Sequence, residues 1–232
     1  MSAEIWHGDA RDLVERLPRP VNCIIADPPF GVDYRSLRVI TPEGKRGARG
    51  IAGDKELDGA RADFDSVMDA LLPKTADECD LYVFTRWDVL SEWIETVKGL
   101  ERHGFLYKML LIWEKGLLDT GDIDANWGCG HEQVLYLKKG RREVNFRRPG
   151  VIHVDRPHWT GRIHPSEKPV ALMETFISVS TNKGDLVVDP YSGSGASVAA
   201  AQNLGRDGIG FEVDDEYVRK SRARIEQPAF QF

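Results

Sequence analysis

Cysteine is scarce in this chain and scattered: Cys23, Cys79 and Cys129 are the only three in 232 residues. An odd number at wide spacing fits neither a disulfide framework nor a zinc pattern. The expectation is therefore reduced thiols, a cytoplasmic setting and no metal. His131, His153, His158 and His164 also match no standard ligand spacing. No apolar run approaches membrane-spanning length, and the longest, around Met109 to Trp113, suits a strand. Met1-Ser2-Ala3-Glu4-Ile5-Trp6 lacks a basic stretch followed by an apolar one, which predicts no secretory signal and no membrane partner. Internal repeats and low-complexity tracts are missing too. So is a basic excess: the net charge of -6 speaks against a binder that holds nucleic acid by overall charge.

What is present suits a globular α/β protein. Hydrophobic content of 41% and charged content of 29% are ordinary values, and the length predicts one domain, residues 1–232. Charge is uneven, however. Lys138, Lys139, Arg141, Arg142, Arg147 and Arg148 fall within eleven residues holding a single acid, Glu143. Arg35, Arg38, Lys45, Arg46 and Arg49 crowd a Gly-rich segment. Charge runs are usually solvated faces. Taken together, the two runs look like phosphate contacts.

Strand and helix patterns alternate along the chain. Residues 4–7, 21–26, 80–85, 105–113, 133–138, 186–188 and 208–211 read as strands, and 10–17, 62–73, 87–102, 168–180, 194–204 and 214–225 as helices. Residues 31–61 read as a long irregular loop, and 139–163 show no clear period. Strands separated by helices imply βαβ units and a mostly parallel sheet.

Two strand ends carry chemistry. The run Val21-Asn22-Cys23-Ile24-Ile25-Ala26 ends on Asp27-Pro28-Pro29-Phe30. Two prolines fix two φ angles and remove two backbone donors, leaving carbonyls and a carboxylate as acceptors beside an aromatic face. Such a set suits a planar ring bearing an amino group, that is, a nucleobase with an exocyclic NH2. Asp-Pro-Pro is also a common way to leave a strand.

The second strand end is Asp189-Pro190-Tyr191-Ser192-Gly193-Ser194-Gly195-Ala196, where glycines and a helix N-terminus allow close approach of an anionic group. Glu212, seventeen residues past Gly195, stands where a carboxylate accepts from ribose hydroxyls. A dinucleotide fingerprint wants a third glycine, absent here, and Asp189 would repel a pyrophosphate. S-adenosylmethionine fits better: it has a ribose, an amino group for an acid, a carboxylate for a helix N-terminus and no phosphate.

These motifs resemble the DNA amino-methyltransferases, in the permuted group whose catalytic tetrapeptide precedes the cofactor loop. Asp27 to Phe30 matches the catalytic motif and Asp189 to Ala196 the cofactor loop. His164-Pro165-Ser166-Glu167-Lys168-Pro169 resembles a further motif lining the cofactor site, and Gly8-Asp9-Ala10 the segment whose acid meets the adenine of the cofactor. Trp113-Glu114-Lys115, Gly121-Asp122 and His131-Glu132 follow the family's middle region.

The resemblance implies a Rossmann-like S-adenosylmethionine-dependent fold: a mostly parallel, seven-stranded twisted sheet with helices on both faces, and DNA-contacting loops at about 31–61 and 116–163. It implies Asp27, Pro28, Pro29 and Phe30 as catalytic residues. Cofactor contacts would come from Asp9, Ala10, Asp27, His164, Ser166, Lys168, Asp189, Tyr191, Ser192, Gly193, Ser194, Gly195, Ala196, Glu212 and Val213. The two cationic clusters would hold double-stranded DNA, with a homodimer or a restriction enzyme as further partners. Asp at the head of the tetrapeptide resembles the adenine-N6 enzymes. Cytosine-N4 enzymes, an RNA substrate, a non-catalytic binder and a dinucleotide oxidoreductase remain as alternatives.

Overall fold

The apolar run Val21–Ala26 forms strand β2, and all of it but Asn22 is buried. A run without polar alternation has no face to give to water, so it sits inside the sheet with helices above and below. The computed structural model describes residues 2–32, 35–40, 46–50, 56–116, 127–156 and 167–226, with backbone alone for 35–40 and 46–50.

Around β2 the chain lays down β1 (Ala3–His7), α1 (Ala10–Leu13), the hairpin strands β3 (Arg35–Ile40) and β4 (Arg46–Gly50), α2 (Leu57–Leu71) and β5 (Thr75–Thr85). Then come α3 (Leu90–Lys98), β6 (Phe105–Glu114), β7 (His131–Lys139), β8 (Val151–His153) and α4 (Val170–Ser180). The chain continues with β9 (Leu186–Asp189), α5 (Ala196–Asn203), β10 (Asp207–Glu212) and α6 (Asp215–Ile225). Asp9 caps α1 by accepting from Arg11 N, and Asp214 caps α6 by accepting from Glu216 N and Tyr217 N. Each cap satisfies a donor the helix cannot.

The main sheet runs β1-β10-β9-β2-β5-β7-β6-β8, and β7 alone opposes the direction of its seven companions. The mostly parallel sheet with helices on both faces is as expected, and β8 adds an eighth strand. Three residues carry no period, so β8 is invisible in sequence; pairing of Ile112 with Val151 makes it. Residues 31–61 hold more order than a loop, since β3 and β4 pair as a hairpin and α2 starts at Leu57. Their Gly- and Arg-rich sequence lacks the apolar alternation that announces strands.

Phe64, Met68, Leu71, Trp93 and Val97 of α2 and α3 pack with Ile24, Leu81 and Val83 on one face. Leu172, Met173 and Phe176 of α4 and Ala196 and Ala200 of α5 pack with Cys23, Ile25, Tyr82 and Phe84 on the other. Burying each large side chain contributes about 1.5–3 kcal/mol, which holds the strand ends in place. From β9 the chain passes through α5 to β10 on one side; from β2 it passes through α2 to β5 on the other. The carboxyl ends of β9 and β2 therefore flank a topological switch point, where open α/β sheets bind ligands.

Candidate active site

Both acids singled out by sequence end strands at this switch point. Ile24 pairs with Val188, so Asp189 is level with Ile25 and Asp27 stands two residues further along. Asp27 keeps 23% of its side-chain surface exposed. Its Oδ2 accepts from Lys168 Nζ at 2.6 Å, whereas Oδ1 is buried and has no hydrogen-bond partner among the described residues. An orphaned buried acceptor costs about 1–3 kcal/mol, a cost met at sites that await a donor. Burial raises the Asp27 pKa, and the Lys168 charge pulls it back only in part. Phe30 is half-buried, packed edge to face on Trp93 with centroids 6.4 Å apart.

Behind Asp27 runs a chain of alternating charge. Lys168 also pairs with Glu132 at 3.3 Å, and Glu132 with Lys115 at 2.9 Å. Burial works against the Lys168 ammonium, but Asp27 and Glu132 outweigh it and hold its pKa above the usual value. Burial alone would raise Glu132, yet Lys168 and Lys115 hold its carboxyl below the usual value. Lys168, expected among the cofactor contacts, thus reaches Asp27. Glu132 and Lys115 lie in segments that follow the family's middle region, for which the resemblance implies no role. Nothing in the sequence signals that residues seventeen positions apart, at the ends of β6 and β7, meet; strand pairing of Glu114 with His131 does it.

Across the switch point, the loop after β9 folds tightly onto β10. A Cβ on Gly210 would lie 2.6 Å from Ser192 Cβ, so only glycine lets the loop approach. Gly195, at φ +74°, opens α5, and Ala196 is its first residue. Glu212 Oε2 accepts from Gly193 N at 2.8 Å and Oε1 from Asp214 N at 2.8 Å. A carboxylate offers about four lone-pair sites, so acceptor capacity remains for a hydroxyl. Asp189 accepts from Tyr191 N at 2.9 Å and from Ser197 Oγ, and burial pushes its pKa up to about 7. The Tyr191 hydroxyl and Ser192 Oγ are buried without partners among the described residues.

Pairing of His7 with Glu212 sets Asp9 and Ala10 beside that carboxylate, and exposed Val213 follows it. Asp9 also holds the Arg11 guanidinium, which lowers its pKa. Ser194 is gripped by Arg224 of α6, whose guanidinium donates to Ser194 O and Oγ at 3.1 Å and pairs with Glu167. That pairing explains a carboxylate at 167, whose side chain is 4% exposed. His164 and Ser166 lie outside the described residues.

The cationic clusters divide. Lys139 donates to Thr75 Oγ1 at 3.0 Å and Arg142 pairs with Asp185 at 2.9 Å. Both partners open their strands or precede them, at the edge of the sheet opposite Asp27. Asp27 is level with Phe84 and hence Val134, and Lys139 is five residues along β7, on the order of 17 Å away. Lys139 and Arg142 therefore sit near the strand ends away from Asp27. An antiparallel β7 carries its last residues away from the parallel strands' carboxyl ends. Arg147 and Arg148 lie on the exposed run from that edge back to β8, with Arg148 stacked on Phe146. Arg35, Arg38, Arg46 and Arg49 belong to the β3–β4 hairpin, but their side chains, and Lys45 entirely, lie outside the described residues.

The doubly wound sheet with an acid and an aromatic at one strand end and a glycine loop at the next defines the Rossmann-like methyltransferase class. Solved structures agree on the fold: the M1.HpyAVI–SAM complex at TM-score 0.70 and 24% identity, covering 97% of this chain and 99% of that one. The cytosine-N4-specific PvuII DNA methyltransferase superposes at TM-score 0.73 and 17% identity, covering 100% and 89%. The DNA methylase family model, of the N6/N4 methyltransferases, matches residues 21–223, and the chain belongs to that family. It is 37% identical to the type II methyltransferase M2.LlaDCHI of Lactococcus lactis subsp. cremoris over 269 aligned positions, 98% of this chain and 91% of that protein. It is 41% identical to the DNA adenine methyltransferase YhdJ of Escherichia coli (strain K12) over 142 residues, 56% of this chain and 48% of that protein.

Proposed function

We propose that this chain transfers a methyl group from S-adenosylmethionine to the N6 amine of adenine in double-stranded DNA, with the base flipped out of the helix. The observation that carries the reading is the unpartnered Asp27 Oδ1 beside the switch-point crevice. The cofactor fits the groups around Asp189. That acid suits an α-ammonium, Glu212 retains lone pairs for ribose hydroxyls, and the orphaned Ser192 Oγ and the close-packed glycines leave a polar cradle.

When bound, S-adenosylmethionine would supply a methyl carbon activated by a sulfonium, whose sulfur would keep the bonding pair and leave as a neutral thioether. The residues do the rest. An aromatic amine is a poor nucleophile because its lone pair is delocalised into the ring. Asp27 Oδ1 and the Pro28 carbonyl accept its two hydrogens and favour a more tetrahedral nitrogen. Once the new C–N bond forms, the nitrogen carries positive charge and gives one proton to the Asp27 carboxylate. Flipping costs a few kcal/mol, and stacking on Phe30 offsets roughly 1–3 kcal/mol. The hairpin cations of β3 and β4 hold flanking phosphates. Residues 1–232 act as one catalytic domain in the cytoplasm, and the type II names of relatives support a restriction enzyme as partner.

Adenine is favoured by Asp at position 27 and by the likeness to YhdJ. Cytosine-N4 is the second reading, favoured by the superposition on the PvuII enzyme. The test is incubation with labelled cofactor and duplex DNA, then digestion to nucleosides and mass spectrometry. N6-methyladenine, abolished in Asp27→Ala, is the expected product. N4-methylcytosine would establish the second reading, and no methylated base at all would overturn both.

A further inference from the structure

We propose that Lys168 is a positioning residue that claims Asp27 Oδ2 and thereby reserves Oδ1 for the target amine, with Glu132 and Lys115 holding Lys168 in that place. The proposal rests on the methyl-transfer reading above.

Four elements converge to make the arrangement. Asp27 follows β2, Lys115 follows β6, Glu132 belongs to β7 and Lys168 precedes α4. Their charges alternate and sum to zero. The links are Asp27–Lys168 at 2.6 Å, Lys168–Glu132 at 3.3 Å and Glu132–Lys115 at 2.9 Å. The Lys168 ammonium also stands 4.9 Å over the Phe84 ring, which fixes its height above the sheet. Both lysines are buried, so the chain is built inside the protein rather than gathered at its surface.

The geometry divides labour within one carboxylate. A carboxyl group turns easily about its last torsion, and either oxygen could then meet the amine. Lys168 stops that turn by bonding one oxygen. An ammonium has three hydrogens, and with no second anion nearby it would draw on both oxygens of Asp27. Glu132 prevents this by attracting the ammonium from the other side, and Lys115 keeps Glu132 anionic. Asp189 at the end of β9 is a further charged neighbour, and Asp27 raises its pKa. Lys168 and Lys115 favour the Asp27 carboxylate, while Glu132 and burial disfavour it.

That balance yields shifts of opposite sign, which a purely structural role would not produce. Removing the Lys168 charge raises the Asp27 pKa, and removing the Glu132 charge lowers it. The experiment uses full-length Lys168→Met and Glu132→Gln proteins. It reads the 13C carboxyl titration of Asp27 without cofactor or DNA, assigned with Asp27→Asn, and the pH dependence of kcat on duplex DNA.

Lys168→Met should move both the carboxyl midpoint and the acid limb of kcat upward by about one unit or more, a roughly tenfold loss of rate below the limb. Glu132→Gln should move both downward, with the cofactor KM unchanged. Should Lys168→Met fail to fold, Lys115→Met provides the upward shift in its place. Methyl transfer in the wild type with an unmoved Asp27 midpoint in these variants would overturn the positioning role. Opposite midpoint shifts with no methyl transfer by the wild type would instead overturn the methyltransferase reading.

Discussion

Asp27 and Asp189 leave neighbouring parallel strands at the same edge of the sheet, Asp27 two residues beyond the level of its neighbour. The Asp27 charge raises the cost of charging the buried Asp189. Asp27 itself has the Lys168 ammonium beside it. Asp189 has Ser197 Oγ and Tyr191 N but, among the described residues, no cation, and its pKa rises to about 7. The S-adenosylmethionine proposed for this site is positive at two points, sulfonium and α-ammonium, and would relieve both acids at once.

Cofactor affinity should therefore depend on pH near neutrality. Asp189 is an acid with a raised pKa, so it is largely protonated below about 7 and carries charge above it. Binding an ammonium needs the charged form. Affinity for S-adenosylmethionine should fall as pH drops through 7, approaching tenfold per unit on the acid side, and binding there should release a proton. Calorimetric titration in buffers of different ionisation enthalpy measures both. Affinity and proton release that stay flat across this range would contradict the assignment.

The Arg224–Glu167 pair ties α6 and the segment before α4 to the loop after β9 through Ser194. Arg224→Met takes the guanidinium from the buried Glu167 carboxylate and should cost roughly 3–5 kcal/mol of stability by urea unfolding. Combining it with Glu167→Gln should recover most of that loss, because the buried charge is gone. Equal losses in the single and double variants would show that the guanidinium matters through packing instead.

Lys139→Gln with Arg141→Gln should leave DNA affinity and its salt dependence unchanged, since both residues lie at the far edge of the sheet. Arg35→Gln with Arg38→Gln on the hairpin should weaken binding and flatten the log–log salt slope by about 0.9 for each phosphate no longer neutralised. Fluorescence anisotropy over a salt series gives both slopes. The opposite ranking of the two pairs would place DNA on the other edge.

Gly31 has φ +78°, and a Cβ there would stand 2.3 Å from Leu57 Cα. The segment between them leaves and returns at one point beside Phe30, pinned by that close approach. Gly31→Ala combines backbone strain with an overlap against backbone, so a destabilisation of about 2–4 kcal/mol is expected from thermal unfolding. A change within about 0.5 kcal/mol would mean that the two chain ends separate freely.

Much of the fold was legible because it rests on local pattern. The uninterrupted apolar run before Asp27 could only be a doubly covered strand, and Ser192-Gly193-Ser194-Gly195 could only be a tight turn into a helix. What stayed hidden depends on pairing at a distance. β8 is too short to carry a period, and the β3–β4 hairpin lacks apolar alternation. Charge clustering does not say at which edge Lys139 and Arg142 lie, because the direction of β7 decides it, and direction has no local signal.

Residue types and their order along the chain established the chemistry on offer: acceptors beside an aromatic, a glycine turn, a carboxylate one strand on. Each follows from short-range sterics and hydrogen bonding. Which oxygen of Asp27 remains for a ligand, which cations touch it and which lie on the far edge were settled by folding alone. Those facts rest on contacts between residues far apart in sequence, such as Asp27 and Lys168, whose energies come from burial and Coulomb attraction that exist only once the sheet has closed around them.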